Sequence, residues 1–131
     1  MSHSGRPALL AAAVLTTVAV LAACGGAAPA SVAPPPSGVV AIEASDQSGY
    51  KFTPSSVSVA AGKVTFYVRN VGTQEHEFEI FEGETVVDEI EGLVPGLAKN
   101  LTVDLKPGQY TFVCKLSGHD LAGMKGTLTV N

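Results

Sequence analysis

Four side chains suited to a soft or borderline metal ion occur in a fixed order: His76, then Cys114, His119 and Met124. The last three share the segment Cys114-Lys115-Leu116-Ser117-Gly118-His119-Asp120-Leu121-Ala122-Gly123-Met124, a Cys-x4-His-x4-Met spacing. Two neutral imidazole nitrogens, a thiolate and a thioether suit copper in both common oxidation states, Cu(I) and Cu(II), as a trigonal His2Cys set with a long axial Met. Taken singly, a buried Cys or Met is more often core filler, and a lone His is more often solvated or satisfied within a core. Only the combination points to one bound ion.

Cysteine usage strengthens that reading. The chain has two cysteines, Cys24 and Cys114. Residues 1–23 have the form of an export signal, with Arg6 ahead of the apolar run 8–21 and small residues at Ala22 and Ala23. Leu21-Ala22-Ala23-Cys24 resembles the lipobox of bacterial lipoproteins, which implies a diacylated Cys24 as the mature N-terminus. The alternative is an ordinary secretory signal or an uncleaved anchor, although the run is short against the roughly 20 residues a membrane span requires. With Cys24 committed to lipid, Cys114 has no disulfide partner, and a lone thiol outside the cytoplasm is a liability unless a metal occupies it. The expected location is the outer face of the cell membrane, on its periplasmic or cell-surface side, held by lipid on Cys24.

Residues 24–37 carry the lipidated Cys and an Ala/Pro/Gly-rich tether that includes Pro34-Pro35-Pro36. The tether has too little apolar area to fold by itself. Residues 38–131 remain as one domain with a modest core. Only Arg6 among the eight basic residues precedes Cys24, so processing takes the net charge from −4 to about −5, and nucleic acid is not an expected partner. Eight of the twelve acids lie from Glu75 to Glu91. They read as a solvated sheet face, with a docking patch for a basic partner as the alternative.

The elements that must position the four ligands are short strands. Val64, Phe66 and Val68 alternate with Thr65, Tyr67 and Arg69, and Leu101, Val103 and Leu105 alternate with polar residues. Tyr110, Phe112 and Cys114 share one parity, and Leu128 and Val130 lie on one face of a last strand. Weaker strand candidates span 39–44, 56–60, 77–81 and 85–90. Turns fall at Ala61-Gly62, Glu82-Gly83, Pro95-Gly96 and Lys106-Pro107-Gly108. The pattern predicts an all-β, Greek-key antiparallel sandwich of about eight strands. If the strand ending at Cys114 rises, successive reversals place Pro95-Gly96 and His76 at the same upper pole. The same reversals bring the 39–44 strand up from the lower pole, where the tether should leave.

These residues resemble those of the small blue copper proteins, the cupredoxins. Pro107-Gly108-Gln109-Tyr110-Thr111-Phe112-Val113-Cys114 is similar to the last rising strand of plastocyanin, and Gly123-Met124-Lys125-Gly126-Thr127-Leu128-Thr129-Val130-Asn131 to its final strand. The Cys-x4-His-x4-Met loop is similar to that of auracyanin. Phe52-Thr53-Pro54, Val57-Ser58-Val59-Ala60-Ala61-Gly62 and Val64-Thr65-Phe66 also resemble cupredoxin framework. The resemblance implies one type 1 copper ion held by His76, Cys114, His119 and Met124. Cys114 would supply the blue colour and the electronic path, and Met124 a weak axial bond that favours Cu(I). Gly118 and Gly123 would allow the loop to turn tightly. Two features depart from the family pattern. Glu75 and Glu77 flank His76 where plastocyanin-like chains often carry Pro and Asn, and Ser117 stands where many carry Pro. Asn70 could brace the ligand loop by side-chain hydrogen bonding, or be an ordinary turn residue.

Catalysis at copper usually needs further histidines or an open coordination position, and neither is available, so an enzyme is not expected. The expected function is an electron-transfer lipoprotein. Its redox partners would dock transiently near His119, on a patch formed by Leu93, Val94, Pro95, Leu97, Leu116, Leu121 and Ala122. The alternative is a copper-handling (acceptor, storage or resistance) or metal-uptake accessory lipoprotein. A third possibility is an anchored sandwich without metal.

Overall fold

Among the described residues, alternation of apolar and polar residues is realised as nine strands. In the computed structural model the described residues are Met1 and 33–131, and the latter form one compact unit, Ala33–Asn131. The expected export signal, the expected lipid site Cys24 and the expected tether as far as residue 32 lie outside the described residues. Among the described residues no helix is long and apolar enough to cross a membrane.

The strands are β1 (Val40–Ser45), β2 (Lys51–Thr53), β3 (Ser56–Val59), β4 (Gly62–Asn70), β5 (His76–Glu82), β6 (Thr85–Leu93), β7 (Ala98–Leu105), β8 (Gly108–Val113) and β9 (Lys125–Val130). One sheet has the order β2-β1-β4-β7 and the other β3-β9-β8-β5-β6. The architecture is the expected all-β sandwich. Within it, β1 runs parallel to β4 and β3 parallel to β9, so both sheets are mixed rather than purely antiparallel. The cause is the path of the first descending segment. β2 pairs with β1 in one sheet, the chain crosses at Thr53-Pro54-Ser55, and β3 continues in the same direction on the edge of the other sheet. One expected descending strand thus becomes two, because the sandwich needs an edge on each layer.

Where the strands alternate cleanly, the inner residues form the core. Phe66 and Val68 from β4, Leu101, Val103 and Leu105 from β7, and Tyr110 and Phe112 from β8 are all buried. Phe52, Phe66, Phe78 and Phe112 interlock, with ring centroids 5.3–5.6 Å apart. Each such ring contributes about 1.5–3 kcal/mol on leaving water. Gly126, opposite Phe112 in the β8–β9 ladder, has no space for a side chain, since a Cβ would overlap the Phe112 ring.

The acidic stretch is only partly a solvated face. Glu75, Glu82, Glu84, Glu89 and Glu91 are exposed, whereas Glu77 and Asp88 are half-buried and Glu79 is buried. Glu79 lies on β5 between β6 and β8, with Glu89 and Val113 as its cross-strand neighbours. Burial, reinforced by the charges of Glu77 and Glu89, pushes its carboxyl above the usual range.

The reversals place the beginning of β5, the end of β8, the β6–β7 turn and the end of β1 at one pole. β1 begins, and β9 ends, at the other. There the Asn131 N–H donates to the Val59 carbonyl and its own carbonyl accepts from Ala61 N–H.

Candidate metal centre

His76 is the first residue of β5, paired with Leu93 of β6, and a bulge separates this pair from Phe78–Ile90. A bulge re-aims the residues beside it. Here it leaves the Glu77 N–H free to donate to Cys114 Sγ at 3.3 Å. That hydrogen bond belongs to the backbone, so a Glu in place of the family's Asn does not remove it. Cys114 follows β8 directly and inherits the inward parity of Tyr110 and Phe112. The intervening loop is tied back on itself. Cys114 N–H donates to Met124 O at 3.0 Å, Met124 N–H to His119 O at 2.9 Å, and His119 N–H to Leu116 O at 2.8 Å.

Three residues take left-handed backbone in this loop: Ser117 (φ 35°), Gly118 (φ 80°) and Gly123 (φ 108°). The glycines accept it without steric cost. Proline, fixed near −65°, could not occupy position 117 in this conformation, so the loop differs in path from one that carries Pro there.

The fold brings His76, Cys114 and His119 together, with one donor atom of each inside a mutual span of 4.8 Å. Cys114 Sγ and His119 Nδ1 are 3.4 Å apart. His76, Cys114 and Met124 are fully buried and His119 is nearly so. Met124 completes the segment that binds Cys114 and His119 through its backbone. Burial lowers the pKa of His76, keeping the ring neutral, and raises that of Cys114, against which the Glu77 and Leu116 N–H groups act. Without a metal the Cys114 proton is therefore retained, and metal binding would displace it.

One atom tests whether a metal fits. His76 Nδ1 is the single buried side-chain nitrogen or oxygen among the described residues without a hydrogen-bond partner. Such an orphan costs about 1–3 kcal/mol, which coordination at Nδ1 would relieve. The donor chemistry, the spacing and this unpartnered nitrogen together fit copper.

The chain's match to the cupredoxin-like domain family extends over residues 10–130. The chain belongs to that family. This cupredoxin-like domain is also similar to the iron uptake system component EfeO of Yersinia pestis, 37% identical over 98 residues, covering 70% of this chain and 25% of that protein. The corresponding protein of Escherichia coli strain K12 is 38% identical over 77 residues, covering 59% and 20%. The chain thus spans about a quarter or less of the length of these relatives. In fold the domain is similar to reduced auracyanin of Roseiflexus castenholzii, with TM-score 0.65, 21% identity and coverage of 72% and 98%. It is likewise similar to auracyanin A of Chloroflexus aurantiacus, described as a "blue" copper protein, with TM-score 0.62, 21% identity and coverage of 72% and 100%.

Two residues near the centre escape a reading of the sequence alone. Asp46 Oδ1 lies 3.3 Å from His76 Nε2. The Tyr50 ring tilts over His119 at 4.4 Å between centroids, and its hydroxyl accepts a hydrogen bond from Gln74 Nε2 at 2.8 Å. Their only signal in the sequence is position, because a rising β1 delivers residues 45–50 to the ligand pole. Asn70 is a brace, but not of the ligand loop. Its side chain holds the 71–75 loop and the end of β6 rather than the Cys114–Met124 segment. Of the apolar patch, Val94, Pro95, Leu97, Leu121 and Ala122 are exposed and Leu116 is half-buried. Leu93 is fully buried and belongs to the core, because it faces inward opposite His76.

Proposed function

We propose that this domain holds one copper ion between His76, Cys114, His119 and Met124 and serves as an electron carrier, anchored by lipid on Cys24 at the outer face of the cell membrane. The observation that carries the reading is the orphaned His76 Nδ1, in a cluster whose other donors are Cys114 Sγ and His119 Nδ1. Copper bound there would supply a one-electron couple. The protein's part is to keep the donors fixed. The Cys114–Met124 backbone bonds and the packed sandwich beneath leave little freedom for the ligands to rearrange as charge changes. Tyr50 covers His119, and the exposed Leu121, Val94 and Leu97 give the ligand pole an apolar rim suited to brief contact with redox partners.

A second reading has an observation of its own. The EfeO relatives are iron uptake components, which favours a metal-uptake accessory role for the same centre. One experiment addresses both. Cu(II) added to the protein should raise an intense thiolate-to-copper absorption that Cys114→Ser abolishes. Met124→Leu should keep the band and shift the potential. Reversible electron exchange with slow copper loss to a chelator supports the carrier, and rapid surrender of copper supports metal handling. A folded protein with no band would remove the copper reading.

A further inference from the structure

The carboxylate of Asp46 is more elaborately held than an incidental neighbour of His76 would be. Its side chain is only 6% exposed. Oδ1 accepts from Thr73 N–H at 2.7 Å and Gln74 N–H at 3.3 Å, Oδ2 accepts from the Thr73 hydroxyl at 2.6 Å, and His76 Nε2 lies 3.3 Å from Oδ1. Room for it depends on Gly72, where any Cβ would overlap Oδ1. The Thr73 hydroxyl and two backbone N–H groups all donate to this carboxyl, a set of partners that an ionised carboxylate satisfies.

An ionised carboxylate can only accept hydrogen bonds. The proton of neutral His76 must therefore sit on Nε2, and the lone pair on Nδ1. Nδ1 is the buried nitrogen that lacks a partner. We infer that Asp46 is a positioning residue for the metal centre: it locks His76 with Nδ1 as the donor and, through its negative charge across the ring, biases the bound ion toward its more highly charged, oxidised state. The inference rests on the copper reading for the second effect but not for the first. Outer partners of this kind orient a ligand and raise its basicity. The two histidines of the centre are also made unequal. His76 is backed by a carboxylate, and His119 by the face of Tyr50.

The test is Asp46→Asn, which keeps an acceptor of the same shape and removes the charge. Affinities for Cu(II) and Cu(I) are measured on the purified protein by chelator competition. Asp46→Asn should retain the thiolate absorption while the Cu(II)-to-Cu(I) affinity ratio falls about tenfold. For a one-electron couple that is a potential about 59 mV higher. Thr73→Val, which removes a hydrogen bond but not the charge, should move the ratio distinctly less. Without metal, nitrogen NMR at neutral pH should find the His76 proton on Nε2. A wild-type proton on Nδ1, or an unchanged ratio in copper-loaded Asp46→Asn, would overturn the inference. Should Asp46→Asn fail to fold, Gly72→Ala displaces the carboxylate and must shift the ratio in the same direction. If the wild type takes no copper, the copper reading and the redox bias fall together, and the NMR result still decides the positioning role.

Discussion

Replacing Asn70 with Ala should damage this protein more than the loss of any exposed loop contact. Asn70 is 1% exposed, and three polar groups depend on it. Its Nδ2 donates to Leu93 O at 2.7 Å and Gln74 O at 2.6 Å, and its Oδ1 accepts from Gly72 N–H at 2.8 Å. The Leu93 contact is buried, so stranding that carbonyl costs about 2–3 kcal/mol. The other two are part-buried and partly recoverable by water, at about 0.5–1 kcal/mol each. The expected loss is about 3–5 kcal/mol, or about 12–20 °C in Tm for a domain of this size. Urea unfolding of the metal-free protein, followed by circular dichroism, measures it directly. Asn70→Asp sharpens the test, because it preserves the acceptor for Gly72 but sets a carboxylate oxygen against two carbonyls. It should be no less harmful than Ala. A loss below about 1 kcal/mol for Asn70→Ala, with an unchanged m-value, would refute the claim that this side chain braces the loop carrying Thr73 and Gln74 to Asp46.

Two further perturbations probe the loop and the acidic face. Ser117 holds φ 35° without being glycine, so Ser117→Gly should raise stability by up to about 1 kcal/mol and Ser117→Pro should lower it, read by thermal melts. Glu79 has a folded-state pKa above its ordinary 4.5, chiefly through burial. Between those two values the native state binds more protons than the unfolded chain, so the Glu79 contribution weakens stability as pH rises through the folded pKa. Glu79→Gln should therefore melt above wild type at pH 7, with the gap closing as pH falls toward 4.5; a gap that widens on acidification would reverse the assignment.

Much of this molecule was legible because it depends on chain direction and period. Alternation at 64–68, 101–105 and 110–114 marked buried faces, and counting reversals brought His76 to the pole of the Cys114 loop. Pairings between distant segments left no such trace. The parallel partnership of β1 with β4 depends on where the chain crosses between layers, at Thr53-Pro54-Ser55, and β2 contributes a single buried residue, Phe52. Glu79 broke the alternation because a central strand can bury its outer face as well. Asp46 could not be linked to His76 from composition, since the two are 30 residues apart and meet directly only in the folded chain.

Both ends of the sandwich, Val40 and Asn131, emerge on the side away from the histidines. A domain with that layout is modular: sequence can be joined at either end while the pole that carries His76 and His119 stays uncovered. In the EfeO relatives the matching stretch is a minor part of a much longer protein, and this arrangement of the termini is what makes such incorporation sterically undemanding.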